Sequence, residues 1–407
     1  MQVYSDCFCR LTTKILTRSE FTMAEIEHYV DPKSKDHPRF VDIKDQKLRL
    51  LAKDVQSAGK SDLAEISIGE AVEKGIVDNE TLGYFMVRIY LFLIKIGIDP
   101  SRLRFRQHMA NEMAHYASDC WDAEIHTSYG WIECVGCADR SAYDLTVHST
   151  KTGTKLLVRE NLDKPVTQDV TEAVINKKAF GPHFKKEARF VEEGIKNLSL
   201  QCLQDAERDL KEKQSYDVTG SNGQVYAVTP NLVTVETKAV TTSTREFTPN
   251  VIEPSFGIGR ILYSLLEHAY WAREEDVARA VLSLPPSVAP IKVLIVPISS
   301  QEAFKPILRD VSLKLRRAGL ASRVDDSGAS IGKRYARNDE LGTPFGISID
   351  FATLKNGTIT LRERDTTVQL IGKIDEVIGV VIKLCEGELT WDEACKTLPL
   401  YDGVQDA

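Results

Sequence analysis

The stretch Asn250-Val-Ile-Glu-Pro-Ser-Phe-Gly-Ile-Gly-Arg260 holds a carboxylate, a hydroxyl, two glycines and a guanidinium in close succession. A strand ending at Glu253, a turn from Pro254 to Gly259 and a helix opening near Arg260 is the predicted order. Glycines at 257 and 259 let backbone come close to a ligand, and a helix N-terminus beside a guanidinium suits phosphate. A lone Gly-x-Gly also fits an ordinary helix-start turn. Far upstream, Glu25 and Glu27 alternate with Ala24, Ile26 and His28, which puts both carboxylates on one face of a strand running from Thr22 to Val30. Such a face is either solvated or a polar site.

Three other constellations point to chemistry less strongly. Cys134-x-x-Cys137 has no second pair at zinc spacing and falls in a strand, so structural thiols are favoured over a metal. His108, Glu112 and His115 share a face if Gln107 to Trp121 is a helix, but His-x3-Glu-x2-His is no metalloprotease signature, and a packed or hydrogen-bonding face is the better reading. Gly328-Ala-Ser-Ile-Gly-Lys333 is one residue short of a Walker A loop and lacks the following Ser or Thr. No metal site and no phosphate loop are expected.

The elements that must position these residues belong to a globular chain. Its 407 residues suffice for two or three domains, with 43% hydrophobic residues and a net charge of -7. That charge excludes a uniformly basic nucleic-acid binder. Locally it does not: from Arg309 to Arg337 eight basic residues face three acidic ones, as a confined phosphate-contacting surface requires, although a solvated helix face has the same look. Eight scattered cysteines and no apolar leader imply a reducing compartment. The most apolar run, Tyr84 to Ile98, is interrupted by Arg88 and Lys95 and reads as a buried helix rather than a membrane span.

Periodicity predicts helices over Ile66 to Gly97 and Gln107 to Trp121, then a strand over Tyr129 to Gly136 with Trp131, Glu133 and Val135 on one face and Ile132 and Cys134 on the other. A polar stretch follows, with a charged helix over Phe184 to Gln214, and behaves as an insertion at about 149–246. The core pattern resumes in a helix over Arg260 to Trp271. The proline-rich joint Ser283 to Pro290 opens a second domain with a βαβ rhythm: strand Ile291 to Ile298, a helix ending at Gly319, strand Ser322 to Asp325 and helix Gly332 to Leu341. A hairpin at Asn356-Gly357 then joins Phe345 to Phe351 and Thr358 to Glu363, and a last helix spans Val368 to Leu384. The domains are thus read as 1–285 and 286–407.

The motifs agree with one family. Asn250 to Arg260 resembles class II motif 3 as it occurs in the glycyl-tRNA synthetases of eukaryotes and archaea. So do Glu20 to His28, Leu103-Arg-Phe-Arg-Gln-His-Met-Ala-Asn-Glu-Met-Ala-His-Tyr116, Trp131-Ile-Glu-Cys-Val-Gly-Cys-Ala-Asp-Arg140 and Tyr143-Asp-Leu145. Asp325 to Leu341, with Ser330-Ile-Gly-Lys-Arg-Tyr-Ala-Arg337, resembles the family's anticodon-binding domain, so the likeness runs from about Glu20 to Trp391. It implies an α/β (α+β) chain: an antiparallel-sheet class II catalytic domain with an insertion, then a mixed-sheet anticodon-binding domain.

The resemblance further implies ATP-dependent activation of glycine to glycyl-adenylate and transfer to tRNA-Gly, with Mg²⁺ accompanying ATP. Arg260 would be the catalytic arginine at ATP, Glu133 and Cys134 would lie beside the nucleotide, and Glu25, Glu253, Pro254 and Ser255 would hold glycine. Lys333, Arg334 and Arg337 would meet tRNA, with Tyr335 as a stacking group. Since glycine has no side chain to grip, selection would be by exclusion of a methyl group. A cytoplasmic homodimer with no membrane segment is the family expectation, and a mitochondrial or plastid pool stays open. The family's motif 1, which builds the dimer interface, and its Phe-Arg-Asn-Glu strand belong upstream of Glu20, where this sequence has neither; Ser19 stands where an arginine is expected, with Arg18 beside it. A catalytically inactive relative that binds tRNA or protein is therefore the rival expectation.

Overall fold

The computed structural model describes residues 22–274 and 276–403. Cys7, Cys9, Arg18, Ser19 and Glu20 lie outside the described residues. The chain forms two compact units, Met1–Gly153 with Pro249–Ala407, and Thr154–Thr248.

The first unit opens with β1 (Met23–Glu25), β2 (His28–Val30), β3 (Lys47–Leu51), α1 (Lys53–Ser57), β4 (Ala64–Ser67), α2 (Ile68–Glu73) and α3 (Glu80–Ile96). It continues through β5 (Leu103–Gln107), β6 (Asp119–Thr127), β7 (Gly130–Asp139) and α4 (Tyr143–Thr152). The second unit comprises β8 (Val158–Ile175), α5 (Lys177–Phe184), α6 (Ala188–Lys196), α7 (Leu200–Glu212), β9 (Tyr216–Thr219), β10 (Val225–Val228) and β11 (Val233–Phe247). Back in the first unit come β12 (Asn250–Gly257), α8 (Ile258–Ala269), β13 (Tyr270–Arg273) and β14 (Asp276–Leu282). The C-terminal part holds β15 (Val293–Pro297), α9 (Lys305–Arg317), β16 (Ser322–Val324), α10 (Ile331–Glu340), β17 (Phe345–Ile349), α11 (Phe351–Asn356), β18 (Thr358–Glu363), β19 (Gln369–Lys373), α12 (Ile374–Glu386) and α13 (Trp391–Thr397).

Among the described residues the larger sheet has the order β1-β12-β7-β6-β5-β3-β4, with β2 also on β12. Every pairing in it is antiparallel except β3 with β5. Strand alternation gives it two unlike faces. Leu103, Phe105, Trp121, Ala123, Ile125, Val135, Cys137 and Ile252 point into one core together with Met86, Ile89 and Leu93 of α3 and Ile261 and Leu265 of α8. Each buried Val, Leu, Ile, Phe or Met side chain among them contributes about 1.5–3 kcal/mol by leaving water. α3 is set in length by its ends: the Asn79 side chain accepts from Leu82 N at 2.9 Å, and Gly97 closes the helix at φ +109°.

The C-terminal sheet runs β16-β15-β17-β18-β19, parallel over its first three strands and antiparallel over the last three. It is the mixed sheet covered by helices that the sequence implies, with a core built on Val293, Ile295, Phe304, Val311, Leu315, Ile347 and Val381. In the second unit β8 and β11 form a long antiparallel ribbon, with Thr167 hydrogen-bonded to Thr241 and Thr171 to Thr237 at 2.9 Å each. Phe180, Val191, Ile195, Leu210 and Val218 make its small core.

Several expected elements differ. Residues 108–118 are not helical; β5 ends at Gln107 and β6 starts at Asp119, because Arg104, Arg106, Asp122 and Glu124 alternate with apolar neighbours at strand spacing. The helix expected from Ile66 begins as strand β4 and short α2. Strand Thr22 to Val30 breaks at 26–27, where Ile26 N donates to Pro254 O. The charged helix splits into α6 and α7 at the Ser199 cap. Asn356-Gly357 is no hairpin turn: α11, held by an Asp350–Thr353 capping box, joins β17 to β18, and Gly357 caps it at φ +70°. Val368 to Leu384 divides into β19 and α12. The strand through Glu253 continues as β12 to Gly257, and the helix after it ends at Ala269, leaving Trp271 in β13.

Candidate active site

β12 lies between β1 and β7 with Glu25 opposite Ser255 and Ser255 opposite Gly136. Alternation therefore turns Glu25, Glu253 and Ser255 to the same side of the sheet, away from the apolar core. Ser255 Oγ donates to Glu25 Oε1 at 3.2 Å. Glu253, whose side chain is 14% exposed, accepts from Arg140 Nη1 at 2.6 Å. Arg140 also grips Asp144 at 2.7 Å and lies over the Tyr116 ring at 4.5 Å. Burial pushes the Glu253 carboxyl above its ordinary range; Arg140 opposes this, and Glu25 and Glu27 reinforce it. Two carboxylates and a hydroxyl thus share one face beside a residue without Cβ, Gly136, and are the kind of acceptors that suit a primary ammonium.

The neighbouring strands extend the same polar face. Glu124 accepts from Arg104 at 2.7 Å and from Arg106 at 3.0 Å. Arg106 reaches Asp122 at 3.0 Å and Glu112 at 2.8 Å, and Arg104 stacks over Trp131 at 4.1 Å. His108 Nε2 meets the same Asp122 oxygen at 2.8 Å. That bond, with one to Cys120, raises the imidazole to about 10, so it is protonated at neutral pH. The atoms of His108, Cys120 and Asp122 lie within 4.8 Å of one another. With His108 charged and Arg106 on the shared carboxylate oxygen, the trio is an ion-pair cluster rather than an open cation seat.

Arg260, in the first turn of α8, sends Nη1 to the main-chain oxygen of Glu133 at 2.7 Å and lies 3.8 Å from its carboxylate. Gly257 permits this crossing, since a Cβ there would stand 3.3 Å from the Cys134 oxygen. Burial and Asp122 push the Glu133 carboxyl up, and Arg260 opposes them. A bulge in the β6–β7 pairing explains Glu133's position: Glu124 faces Glu133 and Ala123 faces Val135, leaving Cys134 as the extra residue.

The structure thus brings Glu25, Glu253 and Ser255 together and puts Glu133 with Arg260 on the adjacent strand and helix. It does not bring in all the expected groups. Alternation after Glu133 puts the Cys134 side chain in the core at 2% exposure, with Sγ 3.7 Å from Ser264 Oγ, and the bulge turns Val135 inward as well; only the main chain of Cys134 borders the site. Pro254 is buried on the opposite face, against Cys137, and its oxygen is taken by Ile26 N. Burial pushes the Cys137 thiol above its ordinary range. Arg334 is 5% exposed and donates to Pro297 O and Asp325 O, so it ties the ends of two strands and cannot reach a phosphate. Tyr335 is equally unavailable for stacking: its hydroxyl meets Ser348 at 2.6 Å and Arg362 covers its ring at 4.5 Å. Lys333 and Arg337 are exposed, with Arg337 bound to Asp325 at 3.0 Å.

Sequence reasoning missed Arg104, Arg106, His108, Asp122, Glu124 and Arg140 as members of this face. The signal was present in the Arg-x-Arg and Asp-x-Glu alternation of β5 and β6, obscured by reading the segment after Gln107 as a helix.

Comparison with known proteins shows what the chain is similar to. The family described as "Anticodon binding domain" matches residues 292–384. "Glycine--tRNA ligase 1, mitochondrial" of Saccharomyces cerevisiae is 54% identical over 97% of this chain and 57% of its own length. "Glycine--tRNA ligase" of Drosophila melanogaster is 50% identical over 94% of this chain and 50% of its own. The protein of that name from Methanothrix thermoacetophila is 41% identical over 93% of this chain and 64% of its own. The chain is similar to these glycine–tRNA ligases along nearly all of its own length, and spans between half and two thirds of theirs. No helix of the described residues is long and apolar enough to cross a membrane.

Proposed function

We propose that the chain carries out the chemistry of a glycine–tRNA ligase: ATP-dependent activation of glycine and transfer of the glycyl group to tRNA-Gly. The observation that carries this reading is the acidic cluster of Glu25, Ser255 and Glu253 beside the Arg260–Glu133 contact, in a chain similar to these ligases over more than nine tenths of its length. Glycine's ammonium would sit against this cluster. Its carboxylate would attack the α-phosphorus of ATP with loss of pyrophosphate, and a ribose hydroxyl of the tRNA would then attack the acyl carbon, releasing AMP.

Neither step needs a protein nucleophile; positioning and positive charge are what the chain supplies. Arg260 would neutralise nucleotide charge. Glu124 is held by two guanidinium groups, whereas Glu133 is 44% exposed and 3.8 Å from one, so Glu133 would be the better placed of the two to meet the Mg²⁺ that accompanies ATP and neutralises its phosphate charge. In this reading 1–285 is the catalytic domain with its insertion at 149–246, and 286–407 is the anticodon-binding domain, in the cytoplasm; the family's homodimer is not carried over to this chain, whose sequence has no motif 1, and light scattering tests its oligomeric state.

ATP–pyrophosphate exchange with glycine, run on this chain and on a fusion supplying the N-terminal portion found in its relatives, tests the reading. Exchange with glycine but not alanine in either form is expected. Silence in both forms refutes it. Glu253→Ala should weaken glycine binding at least tenfold while changing tRNA affinity less than twofold.

A further inference from the structure

We infer that Gly136 is the floor on which the substrate's amino acid lies, and that it is bare because a methyl group there would take the substrate's own space. This deepens the glycine reading above and rests on it. Strand pairing sets the geometry. Asp122, Gly136, Ser255 and Glu25 stand in one row across β6, β7, β12 and β1, and Cys120, Ala138 and Glu253 stand in the next. Neighbouring strands lie about 4.8 Å apart, so roughly 10 Å separates the backbones of Asp122 and Ser255. Within that row only Gly136 contributes no side chain.

A glycine inside a strand weakens it, and marks a bulge, a bend or the close approach of another group. The other strand glycines have such a reason within the protein. Gly130 turns the chain at φ +91°, and a Cβ at Gly346 would stand 2.7 Å from the Tyr335 ring. One at Gly372 would stand 3.0 Å from Leu398, and one at Gly257 3.3 Å from the Cys134 oxygen. Gly136 has none of these: its φ is not positive, the β6–β7 bulge lies at Cys134, and a Cβ would meet only Asp122 Oδ1, at 3.9 Å. Nothing among the described residues requires glycine there. The same carboxylate gives a second, independent observation. Asp122 is 2% exposed, and its Oδ2 is taken by Arg106 at 3.0 Å and His108 at 2.8 Å. Oδ1, the oxygen beside Gly136, has no hydrogen bond among the described residues. A buried carboxylate oxygen aimed at a bare position calls for a donor. An ammonium over Gly136 supplies it, held between Asp122 on one side and Ser255 with Glu25 on the other.

The test is equilibrium dialysis of radiolabelled glycine against the whole chain and against the fusion carrying the N-terminal portion found in its relatives. ATP affinity and the thermal midpoint are read on the same samples. Gly136→Ala is expected to weaken glycine binding roughly tenfold or more, the effect of one methylene in a fitted site. ATP affinity should change less than twofold, and the midpoint should be no lower than that of the unmodified chain, since alanine suits a strand better than glycine. Gly379→Ala, in α12, where a Cβ also meets open space, should leave glycine affinity within twofold. Unchanged glycine affinity in Gly136→Ala, or an equal loss in Gly379→Ala, overturns the floor while leaving the ligase reading intact. A lowered midpoint with glycine and ATP affinity falling together makes Gly136 a structural residue and overturns it likewise. No glycine binding by either unmodified form overturns both.

Discussion

Removing Arg140 and Glu253 separately and together measures whether the acidic cluster holds a charge it cannot neutralise alone. Arg140 Nη1 and Glu253 Oε2 are 2.6 Å apart, with side-chain exposures of 28% and 14%. Unit charges at about 4 Å in an effective dielectric near 20 attract by about 4 kcal/mol, most of it offset by the cost of taking both groups from water. A charge-assisted hydrogen bond retains about 1.5–3 kcal/mol net, and the solvent reaching Arg140 sets the expected coupling at about 1.5 kcal/mol. In a cycle of Arg140→Met, Glu253→Gln and the double variant, urea denaturation at pH 8 should return that coupling. Burial holds the Glu253 carboxyl above its ordinary 4.5. Its protonation therefore favours the folded state: this contribution is complete below 4.5 and is lost as pH rises through the higher native value. On acidification the ion pair becomes a hydrogen bond from the Arg140 guanidinium to a neutral carboxyl, so the coupling should shrink. Arg140→Met, by removing the opposing cation, should move the titration further up. Additivity within about 0.5 kcal/mol at pH 8, or a coupling that grows on acidification, would refute the reasoning.

Two further outcomes concern stability away from that cluster. Asp339 is buried and bridges Arg362 at 2.9 and 3.1 Å and Arg273 at 3.1 Å, so Asp339→Ala leaves two guanidinium groups unpaired; a loss of about 3 kcal/mol is expected by calorimetry, and less than about 1 would mean that water replaces the carboxylate. His108, raised to about 10 by Asp122 and Cys120, contributes stability that is full below 6.5 and declines as pH rises through about 10. His108→Asn should flatten the fall in urea midpoint between pH 7 and 10, and an unchanged slope would show that the imidazole is not held as a cation.

What the sequence makes legible here depends on the range over which the physics acts. The body and end of α3 could be read because its apolar stripe and its Gly97 stop act within one or two turns, whereas its start at the Asn79 cap is hidden inside a helix expected from Ile66. The C-terminal βαβ order could be read for a similar reason, since buried parallel strands such as Val293–Pro297 are continuous apolar runs. The Cys134 bulge could not be. A bulge depends on which residue of β6 each residue of β7 meets, and moving that register by one turns Val135 from the polar face into the core. The same limit hid Arg140, whose carboxylate partner lies 113 positions away, and made Arg334 look like a surface cation. Its i, i+3 and i+4 neighbours are polar, but the oxygens that capture it belong to the ends of β15 and β16. Residue type thus identifies the charges, whereas only pairing across strands determines which of them remain free to meet a ligand: on the polar face of the larger sheet Arg104, Arg106 and Arg140 are each held by carboxylates, while Arg309 and Arg316 of α9 have no such partner among the described residues.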